Sequence, residues 1–580
     1  MAEKWVETTV EGFEAWAAAK GGADLHGARI LVELADLNRT AELDGALLRE
    51  ILLEDFPENV MAGPDDGPAV LDAARDLVAY LAEGGELDEA RVRELNEVID
   101  TVGPEFTAAL EESSENDGNA AELFGRMMTA DGVDLDDEAA IEAWVREFEA
   151  LSDEEKVERT MRQFAADNVV PPVRLAPRAQ LAEAARASSL LTGALELAAW
   201  IDGRALDEDA LAEEDVKTAV QTLGLRSAAE DPEGENLELE RLWRAVRHAD
   251  LVEVEDGRAH RAESPDTGDE GVVLGLWVAL FDGVVTREFD EGEALSPLEV
   301  CQGELPSVLL HLYENGTAAP LGELVSGLIE HVQDAYEIAD AATLAQGLPQ
   351  ALSMELDGLA RWGALTVADG EVSFTPLGVY AVRELLLADG YTAPLIGDLA
   401  EGSAAELVGG LVHHREETAE QEIGLWLEGR SAVDAAAGLL ELMRDGHPAQ
   451  RNIAAVVLQQ VGQEAEQLIR DALDVPQTRP YAAVWLNTHG DEKTVPSEAD
   501  LQWMFVDTLA GMVEAVGPHD AVQIALADSE VDNDLTALVE GVWRLDHPHV
   551  GEVLDAIGDH HHDKELAKIA RKAAFKARSK

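Results

Sequence analysis

The chain is poor in cysteine, with Cys301 as the only one among its 580 residues. A single thiol excludes an internal disulfide and any metal site built from several thiolates. The sequence also lacks a run of about 18 apolar residues that would span a bilayer. Its first nine residues lack the basic-then-apolar order of a signal peptide. These absences predict a cytoplasmic protein without a membrane partner.

Basic residues are scarce as well. The chain has 42 lysines and arginines against 118 aspartates and glutamates, which gives a formal net charge of −76. A field of that sign repels nucleic acid and anionic membranes at long range. Arginine outnumbers lysine by 32 to 10, and alanine is abundant, which fits a high-GC genome. Solvated acidic helix faces in such an organism explain the charge most simply, with adaptation to salt or mimicry of nucleic acid as alternatives.

Signatures of known active sites are missing too. The chain has no Gly-x-x-x-x-Gly-Lys phosphate loop, no Gly-x-Gly-x-x-Gly after a strand, no His-Glu-x-x-His and no Gly-x-Ser-x-Gly. These absences favour a binding protein over an enzyme, although an enzyme with an unfamiliar site stays open. No cofactor is predicted.

The sequence is rich in apolar residues, which make up 46% of its 580 residues. At roughly 150 residues for an average domain, the chain is long enough for about four domains. Helical spacing and turn signals predict a mainly α fold in four parts. These parts are an acidic helical domain over 1–168, winged-helix-like α+β modules over 169–271 and 272–397, and HEAT-like helical repeats over 398–580.

The N-terminal part is predicted to consist of short helices. Apolar residues at helical spacing over 71–81 predict one helix, which Gly84-Gly85 ends. Pro104 is expected near the start of the next helix, and the polar stretch 111–119 is expected to link onward.

An acidic segment, Asp131-Gly-Val-Asp-Leu-Asp-Asp-Glu138, precedes a further amphipathic stretch. Asp134 or Asp136 would cap a helix there, with an apolar stripe that includes Ile141, Trp144, Val145 and Phe148. Calcium binding is disfavoured, because the glycine and the final glutamate do not stand at EF-hand spacing.

Two later segments show the order of helices, strand, turn and strand that a winged helix requires. In the first, a third helix over 237–249 leads into strands on either side of a turn at 255–257. In the second, helices over 320–332 and 334–345 and a third, marked by Leu352, Leu356 and Leu359, precede another hairpin.

The hairpin of the second module has strands over 364–367 and 372–374, joined by the turn Asp369-Gly370. Thr375-Pro376 then caps and opens a fourth helix, because proline is favoured at the first helical position. The string from Gly363 to Gly378 resembles the wing and following helix of many bacterial winged-helix proteins.

From about 398 onward, short amphipathic helices with small residues at close contacts resemble HEAT-like repeats. The openings Gly446-His-Pro448 and Asp546-His-Pro548 recur, and each is expected to precede a helix. After the first opening, Ile453, Val456, Val457 and Val461 are predicted to line one face. Leu566, Ile569, Ala570 and Ala573 form the apolar side of the last helix.

The order of the predicted domains along the chain resembles that of a group of uncharacterised proteins of high-GC actinobacteria. In them an acidic helical region with a segment like Asp131–Glu138 precedes winged-helix-like and repeat-like regions. The resemblance covers most of the chain. It implies the domain order given above and no activity, so it assigns no functional residue.

Three arginines stand out from the acidic background on the predicted third helix of the first module: Arg241, Arg244 and Arg247. In a winged helix this element enters the DNA major groove, and the wing, here with Arg258 and Arg261, touches phosphate. Salt bridges to nearby Glu238, Glu240 and Asp250 are the simpler interpretation.

Half of all the lysines recur every four residues at the C-terminus: Lys564, Lys568, Lys572, Lys576 and Lys580. Successive members drift by about 40° around a helix and form a slanting stripe. Capping of the repeat array, or docking on the protein's own acidic surface, is favoured over contact with nucleic acid or an acidic partner.

The best candidate metal site is the turn Asp559-His-His-His-Asp563, with His560, His562 and Asp563 as ligands. Adjacent residues on a turn rarely converge on one ion, so a polar turn with Asp563 as a helix cap is favoured. Cys301 is expected in the core or a loop.

Three functions therefore stay open. The favoured one is a non-enzymatic interaction scaffold with a protein partner of unknown identity. A nucleic-acid-associated regulator acting through the first module and the lysine stripe is the alternative, although the net charge disfavours it. An enzyme or metal-binding protein with an unrecognised site is the third.

Overall fold

Helices account for most of the structure. The computed structural model describes residues 45–56, 67–84, 89–133, 138–149, 153–207, 210–225, 236–255, 257–287, 296–335, 341–526 and 533–580, together with Phe13, Trp16, Leu87 and Leu151. Within these ranges the fold is mainly α, as predicted, with three small antiparallel sheets. None of the described helices is both long enough and apolar enough to cross a membrane. The chain divides into two compact units, Met1–Gln163 and Phe164–Lys580.

The first unit is helical throughout its described part. Its elements are α1 (Gly45–Glu50), a π-helical turn (Ile51–Asp55), α2 (Gly67–Glu83), α3 (Glu89–Ala130), α4 (Glu138–Glu149) and α5 (Asp153–Asp167). The predicted helix over 71–81 is confirmed as α2, whose apolar stripe is buried.

The helix α3 corrects two predictions, since it runs unbroken through Pro104 and through 111–119. Apolar residues keep helical spacing on both sides of Pro104 and bury one continuous face against α2. That burial outweighs the backbone hydrogen bond that a proline removes from a helix interior. The face consists of Leu95, Ile99, Val102, Phe106 and Leu110.

The predicted apolar stripe of the next helix is confirmed in α4. Trp144 and Phe148 are buried, and their rings stack with centroids 5.2 Å apart. The indole of Trp144 donates to Asp131 Oδ2 over 2.7 Å, and Arg159 pairs with the same carboxylate. The predicted caps, Asp134 and Asp136, lie outside the described residues.

The second unit begins with helices and three small sheets. Its elements up to residue 388 are α6 (Arg178–Ala187), α7 (Ser189–Ile201), β1 (Leu206–Asp207), β2 (Ala210–Leu211), α8 (Glu213–Leu223), α9 (Leu237–His248), β3 (Val252–Glu255), β4 (Arg258–Arg261), α10 (Glu270–Val285), α11 (Pro297–Gly303), α12 (Leu305–Asn315), β5 (Ala319–Pro320), α13 (Leu321–Ala335), α14 (Ala341–Arg361), β6 (Leu365–Ala368), β7 (Glu371–Phe374) and α15 (Pro376–Ala388).

One hydrophobic core runs from Val170 to Ala393 and includes residues of both predicted modules. Its centre is α10, where Trp277 and Phe281 are fully buried and stack at 5.3 Å. The Trp277 indole donates to Ser188 Oγ over 2.8 Å, and this hydroxyl also caps α7.

Both predicted hairpins are confirmed. The strands β3 and β4 pair antiparallel, as do β6 and β7, and β5 adds a third strand beside β7. The turn Asp369-Gly370 joins β6 to β7 with φ values of 55° and 81°, which the twist of a two-residue hairpin requires. Thr375 caps α15, as predicted, by accepting a hydrogen bond from the Gly378 amide.

The helices of the second module differ from the prediction. Residues 341–345, expected to end a separate second helix, instead begin α14, which continues to Arg361 with Pro349 inside it. The apolar stripe of Leu348, Leu352, Leu356 and Leu359 stays buried along this one helix, which explains why it does not break at the proline.

The remaining residues of the second unit form helices and turns. The α-helices are α16 (Ala404–Leu411), α17 (Glu416–Glu428), α18 (Ala432–Asp445), α19 (Pro448–Leu458), α20 (Glu466–Asp471), α21 (Arg479–Thr488), α22 (Glu498–Leu526), α23 (Asn533–Gly541), α24 (Val550–His560) and α25 (Lys564–Arg578). Short 3-10 turns lie at Gln463–Ala465, Ala472–Asp474 and Val542–Arg544. The helix α22 is broken at Gly517, whose φ is 79°.

These helices enclose two hydrophobic cores, one from Ala404 to Leu486 and one from Val506 to Ala574. The predicted face of α19 needs one correction, since Val456 is 60% exposed. Ala454, Val457 and Leu458 are buried instead, because they share the side of the helix that packs on α18 and α22.

Candidate functional site

Arg241 and Arg244 on α9 point inward, so these two do not form the contact surface that was the alternative to salt bridges. Arg241 is only 6% exposed and forms an ion pair with Glu355 on α14. The Gln302 amide donates to the same carboxylate oxygen over 3.0 Å. Burial raises the pKa of Glu355, against the opposing effects of Arg241 and Gln302. The guanidinium of Arg241 therefore belongs to a buried polar cluster.

Arg244 is likewise committed to the fold. Its Nε and Nη2 donate to the carbonyls of Gly283 and Val284, over 3.0 and 3.2 Å. These carbonyls lie in the last turn of α10, where a helix lacks internal donors and favours a cation. Arg247 alone of the three is exposed, with its guanidinium 5.8 Å from the ring centroid of Trp243. One exposed arginine does not make a contact surface of three arginines.

The hairpin arginines are exposed but tied to their own chain. Arg258 donates to the Gly203 carbonyl over 2.8 Å, and the Arg261 side chain donates to Ser264 Oγ over 2.5 Å. Arg258 also forms a β-bridge with Ala205, and the Arg261 amide donates to Asp202 Oδ1 over 3.1 Å, so both ends of β4 are joined to the turn after α7.

The terminal helix, α25, carries the lysine stripe on its outer side. Its inner side buries small residues and one leucine, namely Leu566, Ala567, Ala570, Ala573 and Ala574. Lys564, Lys568 and Lys572 are exposed. Lys576 differs, since it is half-buried and its Nζ lies 5.3 Å from the ring centroid of Trp543.

An exposed aromatic residue lies among these lysines. Phe575 is 69% exposed, and at 100° per residue it lies within about 20° of both Lys564 and Lys568 around the helix axis. We call Lys564, Lys568, Lys572 and Phe575 the terminal face. Lys568 lies 3.7 Å from Glu565. Lys564 and Lys572 make no ion pair with any residue that the structure describes.

The histidine-rich turn confirms the favoured interpretation of Asp563 as a helix cap. The Asp563 carboxylate accepts hydrogen bonds from the amides of Glu565 and Leu566, over 2.9 and 2.8 Å, and so caps α25. The ring of His562 stacks on His561, whereas the ring of His560 contacts His519. In the described ranges, no group of three or more His, Cys, Asp or Glu side chains is arranged to hold a metal ion.

A buried polar network centred on Asp507 was not evident from the sequence. This carboxylate, on α22, accepts hydrogen bonds from Tyr481 over 2.7 Å and from Arg451, and its partner His547 lies 2.8 Å away. The only sequence signal is the second of the two His-Pro openings, Asp546-His-Pro548, which contains His547. His447 of the first opening is exposed and pairs with Glu514 instead.

No family model, curated protein or solved structure matches the chain.

Proposed function

We propose that this protein is a non-enzymatic interaction scaffold that presents the terminal face to an acidic protein segment. The observation that carries the proposal is the exposure of Phe575 among Lys564, Lys568 and Lys572. A terminal helix needs only a polar outer side to end a repeat array. An aromatic ring there adds apolar contact area that capping does not require, and such rings are enriched at the centres of interfaces.

Charge complementarity supports an acidic partner. Three exposed lysines precede the aromatic ring along α25, while the chain as a whole carries −76. Beyond a Debye length of about 8 Å the total charge is largely screened, so the local lysines dominate at contact. An acidic protein segment with an apolar side chain fits both parts of the face.

The predicted architecture is part of the proposal. Two hairpins directly follow helices, β3–β4 after α9 and β6–β7 after α14, which supports two winged-helix-like modules. Successive helices such as α18 and α19 or α24 and α25 pack against each other, which supports a HEAT-like array. The inward direction of Arg241 and Arg244 favours the use of the first module as structure rather than as a DNA reader.

An affinity experiment on the full-length chain tests the proposal. The wild type and two variants, Phe575→Asp and the triple variant Lys564→Glu, Lys568→Glu, Lys572→Glu, are immobilised and exposed to extract of the host cell, with and without prior nuclease treatment. We expect the wild type to retain an acidic protein at low salt and both variants to lose it. Lys493→Glu, an exposed lysine elsewhere, is the matched control and should behave like the wild type.

Two outcomes would contradict the proposal. Retention of the same proteins by every variant would show that the terminal face is not the contact. Retention that disappears with nuclease treatment would assign the face to nucleic acid instead.

A further inference from the structure

A cavity of about 210 Å³ lies in the second unit, where the C-terminal end of α12 meets β7, α15 and the N-terminal end of α17. Its apolar lining residues include Leu312, Phe374 and Val379. Two arginines, Arg174 and Arg415, also line it. Two cations in one small cavity are unusual for a chain in which acidic residues outnumber basic ones by 118 to 42.

Arg415 is held in place by backbone oxygens. Its Nη1 donates to the carbonyls of Tyr313 and Glu314, over 3.2 and 2.9 Å, and its Nη2 donates to the Pro172 carbonyl over 3.4 Å. Carbonyls orient the guanidinium but do not neutralise it. Among the described residues, no carboxylate lies within 4.0 Å of Arg415 or of Arg174. Arg174 is exposed, and its side chain donates to Gln421 over 3.1 Å.

The backbone beside Arg415 makes room for its side chain. Gly316 has a φ of 65°, and a Cβ at this position would lie 2.3 Å from the guanidinium carbon of Arg415. Only glycine satisfies both the positive φ and the close approach. The position of Arg415 therefore depends on the local backbone as well as on its hydrogen bonds.

We infer that this cavity binds a small organic anion, either a carboxylate or a phosphate monoester, with a short apolar part. Arg415 and Arg174 supply charge and the directed donors that such groups prefer. Leu312, Phe374 and Val379 supply contact area for the apolar part. The ligand would join α17 to β7, and so the hairpin region to the C-terminal helices.

Thermal unfolding of the full-length chain with four probes tests the inference. The probes are inorganic phosphate, phenyl phosphate, benzoate and benzyl alcohol, each at the same ionic strength set with chloride. We expect phenyl phosphate or benzoate to raise the Tm in proportion to occupancy and benzyl alcohol to have no effect. A larger shift with phenyl phosphate identifies a phosphate ester as the ligand class, and a larger shift with benzoate identifies a carboxylate.

Variants separate a binding role from a structural one. Arg174→Gln removes a cation at an exposed position of the cavity lining, so we expect it to leave the ligand-free Tm unchanged and to weaken binding about tenfold. Arg186→Gln is the control, because Arg186 also donates to two backbone carbonyls, of Thr267 and Gly268, and does not line the cavity. Equal Tm shifts in all variants, or no shift above chloride with any anion, would overturn the inference.

Discussion

Asp507 and Arg451 form a bidentate ion pair, with Nε 2.8 Å from Oδ2 and Nη2 2.6 Å from Oδ1. The Asp507 side chain is fully buried. The groups that contact this carboxylate come from both C-terminal hydrophobic cores. Arg451 and Tyr481 lie on helices of the core from Ala404 to Leu486, whereas His547 precedes α24, a helix of the core from Val506 to Ala574. The carboxylate therefore links the two halves of the helical region.

Removal of this carboxylate should destabilise the protein strongly. Asp507→Ala leaves Arg451 buried without its partner, which typically costs about 3–5 kcal/mol. Urea unfolding, followed by circular dichroism, measures the loss. Asp445→Ala is the control, because Asp445 pairs with Arg444 at the surface, and it should leave the unfolding curve unchanged. Similar curves for the two variants would show that the network does not hold the cores together.

The same carboxylate predicts a pH dependence. Burial raises the pKa of Asp507, but hydrogen bonds from Arg451, His547 and Tyr481 outweigh it and lower the pKa to about 2, from an ordinary value of 3.8. Between pH 4 and pH 2 the carboxyl of Asp507 is protonated in the unfolded chain but still ionised in the folded protein. The contribution of Asp507 to the free energy of unfolding is therefore fully present above about pH 4 and declines as the pH falls toward 2.

Urea unfolding of the wild type and of Asp507→Asn between pH 6 and pH 2 tests this pH dependence. We expect the difference between the two proteins in the free energy of unfolding to decrease by about 2 kcal/mol over this range. A difference that stays constant, or one that widens toward pH 2, would contradict the lowered pKa.

Local signals in the sequence predicted local structure well. The turn at Asp369-Gly370, the cap at Thr375 and the cap at Asp563 all depend on residues within three positions of each other, and the structure confirms them. Their geometry is fixed by the backbone conformation and hydrogen bonds of a single turn, which a short pattern specifies.

Features that depend on distant contacts were missed. Arg241 finds its partner in Glu355, 114 residues away, whereas the sequence offers Glu238 and Glu240 as nearer acids. The helix α10 is apolar on nearly every side because it lies in the centre of the core, so it lacks the periodicity that marks a surface helix. The exposed ring of Phe575 is equally invisible to spacing alone, since burial is decided by the packing of neighbouring helices.

The buried pair of Arg241 and Glu355 should behave as a unit. Arg241→Met or Glu355→Leu alone leaves an uncompensated charge in the core and should cost about 3–5 kcal/mol in the free energy of unfolding. The double variant should cost less than either single variant, because neither charge remains. Arg247→Met, at the exposed position of the same helix, is the control and should cost less than about 1 kcal/mol. Additive costs in the double variant would contradict the coupling.

Cys301 should be unreactive in the folded protein. Its thiol is fully buried on α11, and burial raises its pKa, with Glu355 adding to the shift and Arg241 opposing it. Thiolates rather than thiols react with disulfide reagents. We expect an aromatic disulfide reagent to modify no thiol per chain at pH 8 in buffer and one in concentrated urea. Rapid modification in buffer would place Cys301 at the surface.

Two glycine substitutions of the same kind should change stability in opposite directions. At Gly378, in the first turn of α15, a Cβ would lie 2.0 Å from the carbonyl oxygen of Ala364, a backbone atom that cannot move without displacing the start of β6. Gly378→Ala should therefore destabilise the protein by about 1–3 kcal/mol or more through overpacking. At Gly424, inside α17, a Cβ meets nothing within 4 Å, so Gly424→Ala should stabilise the protein by about 0.4–1 kcal/mol through helix propensity and the loss of unfolded-state entropy. Urea unfolding of both variants measures the change in the free energy of unfolding. A change of the same sign in both would show that the close approach of α15 to the β6–β7 hairpin does not constrain the fold.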